Sequence, residues 1–247
     1  MKFDFKAVFE PNDYLYFYQA GLTEERTQKE VDFLVRELKL NKPMAILDLA
    51  CGHGRHANRL AALGHNVTGL DITKGFLKIA KSDAKAKGIR VKYIHQDMRK
   101  IKFKNEFDRV ILMFTSFGYF EHKENFKVLK NVFRALKPNG MLSLDILNVD
   151  SLQKRFLPFI VIEKGKDLMI DRNTYDKTTG RFYNKRIVIR NGIRKDKPFF
   201  IQLYNRQKMS GLLKKAGFKS VRFFSDWDSK PFTRDSRRMI VVARKVR

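Results

Sequence analysis

The sequence predicts an α/β fold in which a doubly wound parallel sheet carries helices on both faces. Up to about residue 150, short apolar runs alternate with segments of helical periodicity, and beyond it strand-like segments follow one another. The run MAILDL at 44–49 is continuous and apolar, which is typical of a parallel strand buried on both faces. A chain of 247 residues with 43% hydrophobic residues is long enough for one such core and an appendage.

The first part of the chain predicts five strands separated by helices. Thr23 is a candidate N-cap, and Glu24 and Glu25 favour the first turn of the helix that follows it. Helices are predicted over 23–39, 54–63, 73–88 and 123–137, and strands over 44–49, 66–71, 90–97, 107–114 and 141–147.

The remainder predicts antiparallel strands and then a return to the first sheet. Strands are expected over 159–165, 167–176, 181–192 and 197–204, a helix over 206–216, and strands over 219–227 and 238–245. The closing helix and strands suit the parallel sheet. We therefore expect three parts, with a cofactor-binding core at 1–150, an inserted antiparallel β lid at 151–205 and closing core elements at 206–247.

Charge is unevenly distributed along the chain. The formal net charge is +26, and residues 151–247 hold 26 of the 52 basic residues but 8 of the 26 acidic ones. This excess predicts either an anionic partner, such as RNA or a small acid, or a solvated surface that reflects overall composition. The sequence indicates no secretory signal and no membrane-spanning segment, and one cysteine favours a reducing cytoplasm.

Residues 46–58, ILDLACGHGRHAN, join a strand to a helix through two glycines. Gly52 and Gly54 allow a ligand to approach the backbone, and the helix start offers free N–H groups. Asp71 ends the next strand, where an acid can accept both ribose hydroxyls of an adenosine. Because Gly52-x-Gly54-x-x-Ala57 also fits a looser dinucleotide pattern, these residues alone leave a nicotinamide enzyme open.

Two further acids favour a different adenosine ligand. Asp48 lies in the strand before the loop, where it would repel a pyrophosphate but attract an ammonium group. Asp97, in HQDM, is a suitable acceptor for an adenine amino group. For Asp48 a capped turn, and for Asp71 a helix N-cap, are the alternative interpretations.

With LKPNG at 136–140 before the fifth strand and a final pair of strands able to form an antiparallel edge, these motifs resemble the class I S-adenosylmethionine-dependent methyltransferases. The resemblance implies a Rossmann-like seven-stranded sheet with an antiparallel final strand. ACGHGRHA, HQDMR, TSFGYF and the insertion after strand five look like the small-molecule branch with a β lid. S-adenosyl-L-methionine is the implied cofactor, and no metal is expected. The positions that match the cofactor site are Asp48, Ala50, Gly52, Gly54, Asp71, Ile72, Asp97, Met98, Met113, Phe114 and Thr115.

Methyl transfer by in-line displacement needs alignment and exclusion of water more than a catalytic triad. In FTSFGYFEH, Gly118 is consistent with a bend that aims Phe117 and Tyr119 at the acceptor pocket. Tyr119 or His122 could orient or deprotonate the acceptor, although either could simply pack. The segment lacks the Asp/Asn-Pro-Pro-aromatic loop of enzymes that methylate amino groups of nucleic acids.

Several interpretations stay open. Arg26 could pair with the carboxylate of the methionine moiety or be solvated, and YLYFY at 14–18 could form a flap or a staple. Cys51, His53 and His56 are metal-ligand types without a fourth partner nearby in sequence. The leading prediction is a cytoplasmic methyltransferase acting on a small or medium-sized, possibly anionic acceptor; an RNA methyltransferase, a non-catalytic cofactor-binding module and a nicotinamide dehydrogenase are the alternatives.

Overall fold

A computed structural model describes residues 4–246 and contains two sheets with helices around the larger one. The helices are α1 (Phe5–Val8), α2 (Pro11–Tyr18), α3 (Glu24–Glu37), α4 (Arg55–Ala62), α5 (Lys74–Ala86), α6 (His122–Ala135), α7 (Val149–Lys154) and α8 (Arg206–Ala216). Short 3-10 turns cover Gln19–Gly21 and Met98–Lys100. The strands are β1 (Ala45–Leu49), β2 (Asn66–Asp71), β3 (Lys92–His95), β4 (Phe107–Leu112), β5 (Leu136–Leu147), β6 (Phe159–Lys164), β7 (Asp167–Asp176), β8 (Arg181–Arg190), β9 (Ile193–Gln202), β10 (Ser220–Phe224) and β11 (Arg238–Arg244).

The larger sheet has the strand order β10-β11-β5-β4-β1-β2-β3 within the described residues. β1 pairs in parallel with β2 and β4, and β11 pairs antiparallel with both β5 and β10. The predicted doubly wound sheet with an antiparallel final strand is therefore confirmed. Because β1 to β4 run in parallel, the residues that follow their carboxyl ends meet at one edge of the sheet.

Helices cover both faces of this sheet, as alternation along β1 shows. Leu47 and Leu49 pack with residues of α6 and α8, whereas Ile46 packs on the opposite face with residues of α3 and α4. All three side chains are fully buried. Each such side chain contributes about 1.5–3 kcal/mol to stability through removal from water, and this rigid layer fixes the strand ends that form the site.

The smaller sheet has the order β6-β7-β8-β9, with every pair antiparallel. It lies between β5 and α8 in sequence, so an inserted antiparallel sheet is confirmed as part of the fold. We call it the lid sheet. The chain bounds of the three predicted parts, 1–150, 151–205 and 206–247, stay a proposal.

Ion pairs of a buried aspartate connect helix α2 to the lid sheet. The buried carboxylate of Asp13 lies 2.7 Å from Lys197 Nζ, 3.1 Å from Lys195 Nζ and 3.3 Å from Arg190 Nη1. Burial opposes ionisation, but hydrogen bonds from the lysines outweigh it and lower the pKa of Asp13. We call these four side chains the Asp13 clasp.

Some predicted boundaries are wrong, and helices α1, α2 and α7 were not predicted. β5 begins at Leu136 and includes the segment expected to be a turn, with a register shift where β4 pairs with it and Asn139 in a left-handed conformation. β9 begins at Ile193, four residues earlier than predicted, because a tight hairpin pairs it with β8 from Arg190 onward. Antiparallel pairing thus extends β9 through polar residues that periodicity alone leaves out.

Candidate functional site

A cavity of about 380 Å³ opens at the carboxyl ends of β1, β2 and β4, beneath the lid sheet. Its size is in the range of pockets for small molecules and cofactors. Its lining includes the glycine loop after β1, the ends of the next strands, residues of helices α1 and α2, and one face of the lid sheet.

The glycine loop at 50–54 has the conformation that a close ligand requires. Gly52 has a φ of +55°, and a Cβ at this position would meet no heavy atom within 4 Å, so open space lies beside it. Ala50 also has a positive φ, of 61°. The Gly52 N–H donates to Asp71 Oδ2 at 2.8 Å, so a carboxylate from β2 holds the loop in place.

Gly54, in contrast, is required by packing. Its φ is +82°, and a Cβ there would lie 2.8 Å from the Ala80 Cβ on α5 and would also overlap the Tyr93 hydroxyl. Gly54 begins α4 and does not line the cavity. Its role in the structure is to bring α4 against α5.

Asp48 is the most deeply buried acid of the cavity, with 1% of its surface exposed. Among the described residues its Oδ2 has no hydrogen-bond partner. Burial raises the pKa of Asp48 to about 7, although the positive charge of Arg55 opposes the shift. A buried carboxylate with an unpaired oxygen is costly unless a donor or a cation reaches it.

Asp71 and Asp97 both line the cavity but already have partners. Asp71 Oδ1 accepts the Thr73 N–H at 2.8 Å, so the acid supports the start of α5 as well as the glycine loop. Burial raises its pKa. Asp97 is paired with the Arg99 guanidinium, with Nε 3.0 Å from Oδ2. Each carboxylate oxygen has two lone pairs, so both acids keep capacity for a ligand.

A second buried acid, Glu30 on α3, organises the basic side of the site. Its carboxylate contacts Arg55, lies 2.8 Å from His56 Nε2 and 3.0 Å from Arg26 Nε. Burial disfavours the charge, but hydrogen bonds and positive charge from its partners lower the pKa of Glu30 to about 2. Glu30 and Arg55 were not predicted as site residues, because only the packing of α3 on α4 makes them neighbours.

Arg55 rather than Arg26 reaches the cavity. Arg55 lines it, and its Nη2 is buried without a partner among residues 4–246. Arg26 lies behind it, bonded to the Gly21 carbonyl oxygen at 3.0 Å and outside the cavity lining. The Phe114 ring lies 5.0 Å from the Arg26 guanidinium and 5.3 Å from that of Arg55, so cation–π contacts join both arginines to the end of β4.

The segment after β4 is strained where it borders the cavity. Phe114 and Thr115 are both left-handed, with φ values of 57° and 58°. Asp145 on β5 accepts the Phe114 N–H at 2.9 Å, and Arg238 on β11 binds both Asp145 and the Thr115 hydroxyl. Such strain persists only where the surroundings fix it, and it is concentrated at functional sites. Sequence pattern gave no signal for the Asp145–Arg238 pair.

The acceptor side combines aromatic rings with lid residues. Tyr119 lines the cavity, with its ring centroid 5.3 Å from that of Phe9, and burial raises its pKa. His122 does not line it; its Nδ1 lies 3.4 Å from the Tyr204 hydroxyl. Phe117 is buried in the core beside Tyr204, so the expectation that Gly118 aims it at the pocket is wrong.

The aromatic segment 14–18 serves two surfaces. Tyr14 and Tyr18, one helical turn apart on α2, line the cavity. Tyr16 and Phe17 instead pack toward the lid sheet near Met169. The positions of Tyr14 and Tyr18 therefore agree with the flap interpretation, and the packing of Tyr16 and Phe17 agrees with the staple interpretation.

The structure thus brings most of the predicted cofactor residues to one cavity. The predicted residues that line it are Asp48, Ala50, Gly52, Asp71, Ile72, Asp97, Met98, Met113, Phe114, Thr115 and Tyr119. Arg26, Gly54 and His122 are not among them. Within residues 4–246, no three side chains of the metal-ligand types come together, and no helix is long and apolar enough to cross a membrane.

The strand order, the single antiparallel strand and the glycine loop with acids at the strand ends define the class I methyltransferase fold. In agreement, residues 46–140 match the family model described as a methyltransferase domain. The chain is 33% identical over 134 residues, or 53% of its length, to "Putative methyltransferase YqeM" of Bacillus subtilis (strain 168). That match covers 54% of the relative, so the chain spans about half the length of the protein it matches.

Solved structures agree over nearly the whole chain. An S-adenosylmethionine-dependent methyltransferase from Clostridium acetobutylicum ATCC 824 aligns with a TM-score of 0.81 at 18% identity, covering 97% of this chain and 99% of that one. CalS10, an amino pentose methyltransferase from Micromonospora echinaspora solved with S-adenosylmethionine bound, aligns with a TM-score of 0.67 at 18% identity, covering 94% and 96%. Residues 46–140 thus match a methyltransferase domain, and the chain has the fold of S-adenosylmethionine-dependent methyltransferases, the class whose cofactor is S-adenosyl-L-methionine.

Proposed function

We propose that the protein transfers the methyl group of S-adenosyl-L-methionine to a small or medium-sized acceptor held between the core sheet and the lid sheet. The observation that carries this proposal is the pair of buried, unpaired polar atoms beside the glycine loop, Asp48 Oδ2 and Arg55 Nη2. One is an acceptor and the other a donor. An amino acid moiety offers an ammonium and a carboxylate, which would satisfy both.

The cofactor fits the rest of this wall in the same way. Gly52, which has open space where a side chain would stand, lets the ligand lie against the loop. Asp71 would accept from the ribose hydroxyls, and Asp97 from the adenine amino group, with Ile72 and Met98 beside the base. These assignments follow the family motif, and Arg55 takes the role that the sequence analysis gave to Arg26.

When bound, the cofactor supplies a methyl group activated by a sulfonium. The protein's own residues then have to orient the acceptor, exclude water and accept a proton if the acceptor arrives protonated. Aromatic side chains of α1, α2 and the lid provide the dry enclosure. Tyr119, which lines the cavity, would orient the acceptor, but its raised pKa makes it a poor base at neutral pH.

A small acceptor without negative charge is better supported than an anionic one, whether RNA or a small acid. The basic excess of the C-terminal part predicted a positively charged face, yet several lid arginines are paired with acids, and among them Arg186 lines the cavity. Arg186 pairs with Asp171, Arg190 with Asp13 and Arg181 with Glu121. We keep the predicted cytoplasmic location as part of the proposal.

The test is incubation with methyl-labelled S-adenosyl-L-methionine and a fractionated cell extract, with calorimetry of S-adenosylhomocysteine binding alongside. Label in a small-molecule fraction that depends on the protein supports the proposal. Label in RNA would support the RNA methyltransferase instead. Tight binding with no label transferred would indicate a non-catalytic module, and stabilisation by NAD without binding of S-adenosylhomocysteine would indicate a dehydrogenase.

A further inference from the structure

Two asparagines face each other on the lid sheet where it borders the cavity. Asn173 on β7 pairs directly with Asn184 on β8. Their exposed fractions are 5% and 2%, and both line the cavity. In the described part of the chain, Oδ1 of each residue has no hydrogen-bond partner. Two buried carbonyl oxygens side by side are unusual, because each unpaired acceptor lowers stability.

The orientation of the Asn173 amide is set by a neighbour. Its Nδ2 donates to the Leu157 carbonyl oxygen at 3.0 Å. A flipped amide would place two oxygens together, so this bond identifies Oδ1 as the unpaired atom. The cavity wall therefore presents the Asn173 Oδ1 as a hydrogen-bond acceptor, and the complementary ligand group is a donor.

The charge beside the asparagines is balanced rather than positive. Arg186, two residues after Asn184, is bound by both oxygens of Asp171, at 2.7 and 2.8 Å, and also donates to the Tyr18 hydroxyl at 2.7 Å. Its guanidinium also lies 5.1 Å from the Phe199 ring centroid. An anion at this place would meet the Asn173 Oδ1 and the Asp171 carboxylate, and the Arg186 guanidinium beside them is already paired.

Aromatic rings form the surroundings. The Tyr119 and Phe199 ring centroids lie 6.2 Å apart, and Phe182 on β8 also borders the cavity. Such surfaces bind the faces of compact rings and stabilise nearby cations. They complete a site with acceptors at one point and apolar walls around it.

We infer that Asn173 and Asn184 form the acceptor subsite and bind an ammonium or hydroxyl group of a compact, ring-sized substrate that carries no negative charge. This inference rests on the proposed function, since it names the class of molecule that the methyltransferase would take. It also replaces the anionic acceptor that the composition suggested with one whose defining group donates hydrogen bonds.

The test uses matched six-membered rings as probes, namely trans-4-aminocyclohexanol, trans-cyclohexane-1,4-diol and trans-4-hydroxycyclohexanecarboxylate. Ligand-observed NMR titrations are run on the full chain, with and without S-adenosylhomocysteine. We expect the amine or the diol to bind at least about tenfold more tightly than the acid. Asn184→Leu should weaken the preferred probe by about tenfold, whereas Asn184→Asp should strengthen the amine and weaken the acid.

Lys185→Leu is the matched control, because Lys185 is the next residue on β8 and is exposed on the other face. It should leave all three affinities unchanged. Equal or tighter binding of the acid, or probe affinities that do not respond to Asn184→Leu, would overturn the inference. Calorimetry with S-adenosylhomocysteine keeps the two proposals apart: lost cofactor binding counts against the proposed function, and unselective probe binding counts against this subsite alone.

Discussion

The cavity has two walls that hold their polar groups by different means. The core wall, formed by Asp48, Arg55 and residues 50–53, 71–73, 97–98 and 113–115, is shaped by backbone: a glycine turn, left-handed residues and acids bonded to N–H groups. The lid wall, formed by α2 and β7–β9, is shaped by side chains that pair across strands, as Asp171 does with Arg186. A backbone-built wall suits an invariant cofactor, whereas a side-chain wall can change its ligand by a few substitutions.

The largest expected effect is a loss of folding stability from a substitution that affects the lid wall but not the core wall. Asp13→Ala leaves Lys197, whose side chain is 4% exposed, without its carboxylate. Removing one partner of a buried ion pair costs about 3–5 kcal/mol. Denaturant unfolding should show this loss, while calorimetry should find the affinity for S-adenosylhomocysteine within about threefold of wild type.

The double variant Asp13→Ala/Lys197→Met is the control for this prediction. It should recover much of the stability, because it removes the unpaired charge together with its partner. An unchanged unfolding midpoint for Asp13→Ala alone would mean that the Asp13 clasp does not hold the lid wall.

The second-largest effect is expected on cofactor affinity, from a substitution in the core wall. Asp71→Ala removes the proposed ribose acceptor and frees the N–H groups of Gly52 and Thr73. The affinity for S-adenosylhomocysteine should fall by at least about hundredfold, since each hydrogen bond to a charged group contributes about 1.5–3 kcal/mol. Asp32→Ala, on the exposed face of α3, is the matched control. Near-normal affinity in calorimetry would exclude the assigned ribose position.

A third prediction concerns pH. Because burial raises the pKa of Asp48 to about 7, the carboxylate that would bind an ammonium is mostly protonated at pH 6. The affinity for S-adenosylhomocysteine should rise about tenfold from pH 6 to pH 8. Asp48→Asn should bind more weakly and show a flat profile over this range. A wild-type profile just as flat would contradict the assignment.

The same pKa has a consequence for stability without ligand. The folded state holds the Asp48 proton more tightly than the unfolded chain, so the cost of burying this group grows as pH rises from about 4 to 7 and stays constant above. Ligand-free Asp48→Asn should therefore be more stable than wild type at pH 8 by about 4 kcal/mol, because the pKa is raised from 3.8 to about 7 and each unit corresponds to about 1.4 kcal/mol. Unfolding curves at pH 4 and pH 8 measure the difference.

The smallest effect is expected outside both walls. His122→Ala should change methyl transfer by less than about twofold, because the imidazole lies against Tyr204 and not in the cavity. A loss larger than this for His122→Ala would require a different acceptor position.

Tyr119→Phe keeps the ring but removes a hydroxyl beside the proposed acceptor position, and we expect it to lower kcat by about fivefold, the order of one hydrogen bond.

The core wall was largely predictable from sequence, and the reason is local. Gly52, Asp48 and Asp71 stand at the ends of strands or in the turn between them, so their meeting at one sheet edge follows from parallel pairing. The lid wall was not predictable in this sense. Asn173 and Asn184 are ordinary polar residues in an alternating pattern, and only the register between β7 and β8 places them opposite each other.

Long-range partners explain the remaining misses. Arg26 and Arg55 both contact Glu30, but only Arg55 lines the cavity. This difference depends on how α3 packs on α4. The strained Phe114 depends on Asp145, 31 residues away in sequence. Periodicity identifies an element and its buried face, but it carries no information about which charged residue finds which partner.

The unpaired atoms of Asp48 and Arg55 also bear on how long the protein survives in a cell. A molecule that meets both of them stabilises the folded chain by mass action and lowers the fraction that is open to proteases. Without it, the chain unfolds more often and is degraded sooner. The abundance of this protein should therefore rise and fall with the supply of methyl donor, even where its synthesis is constant.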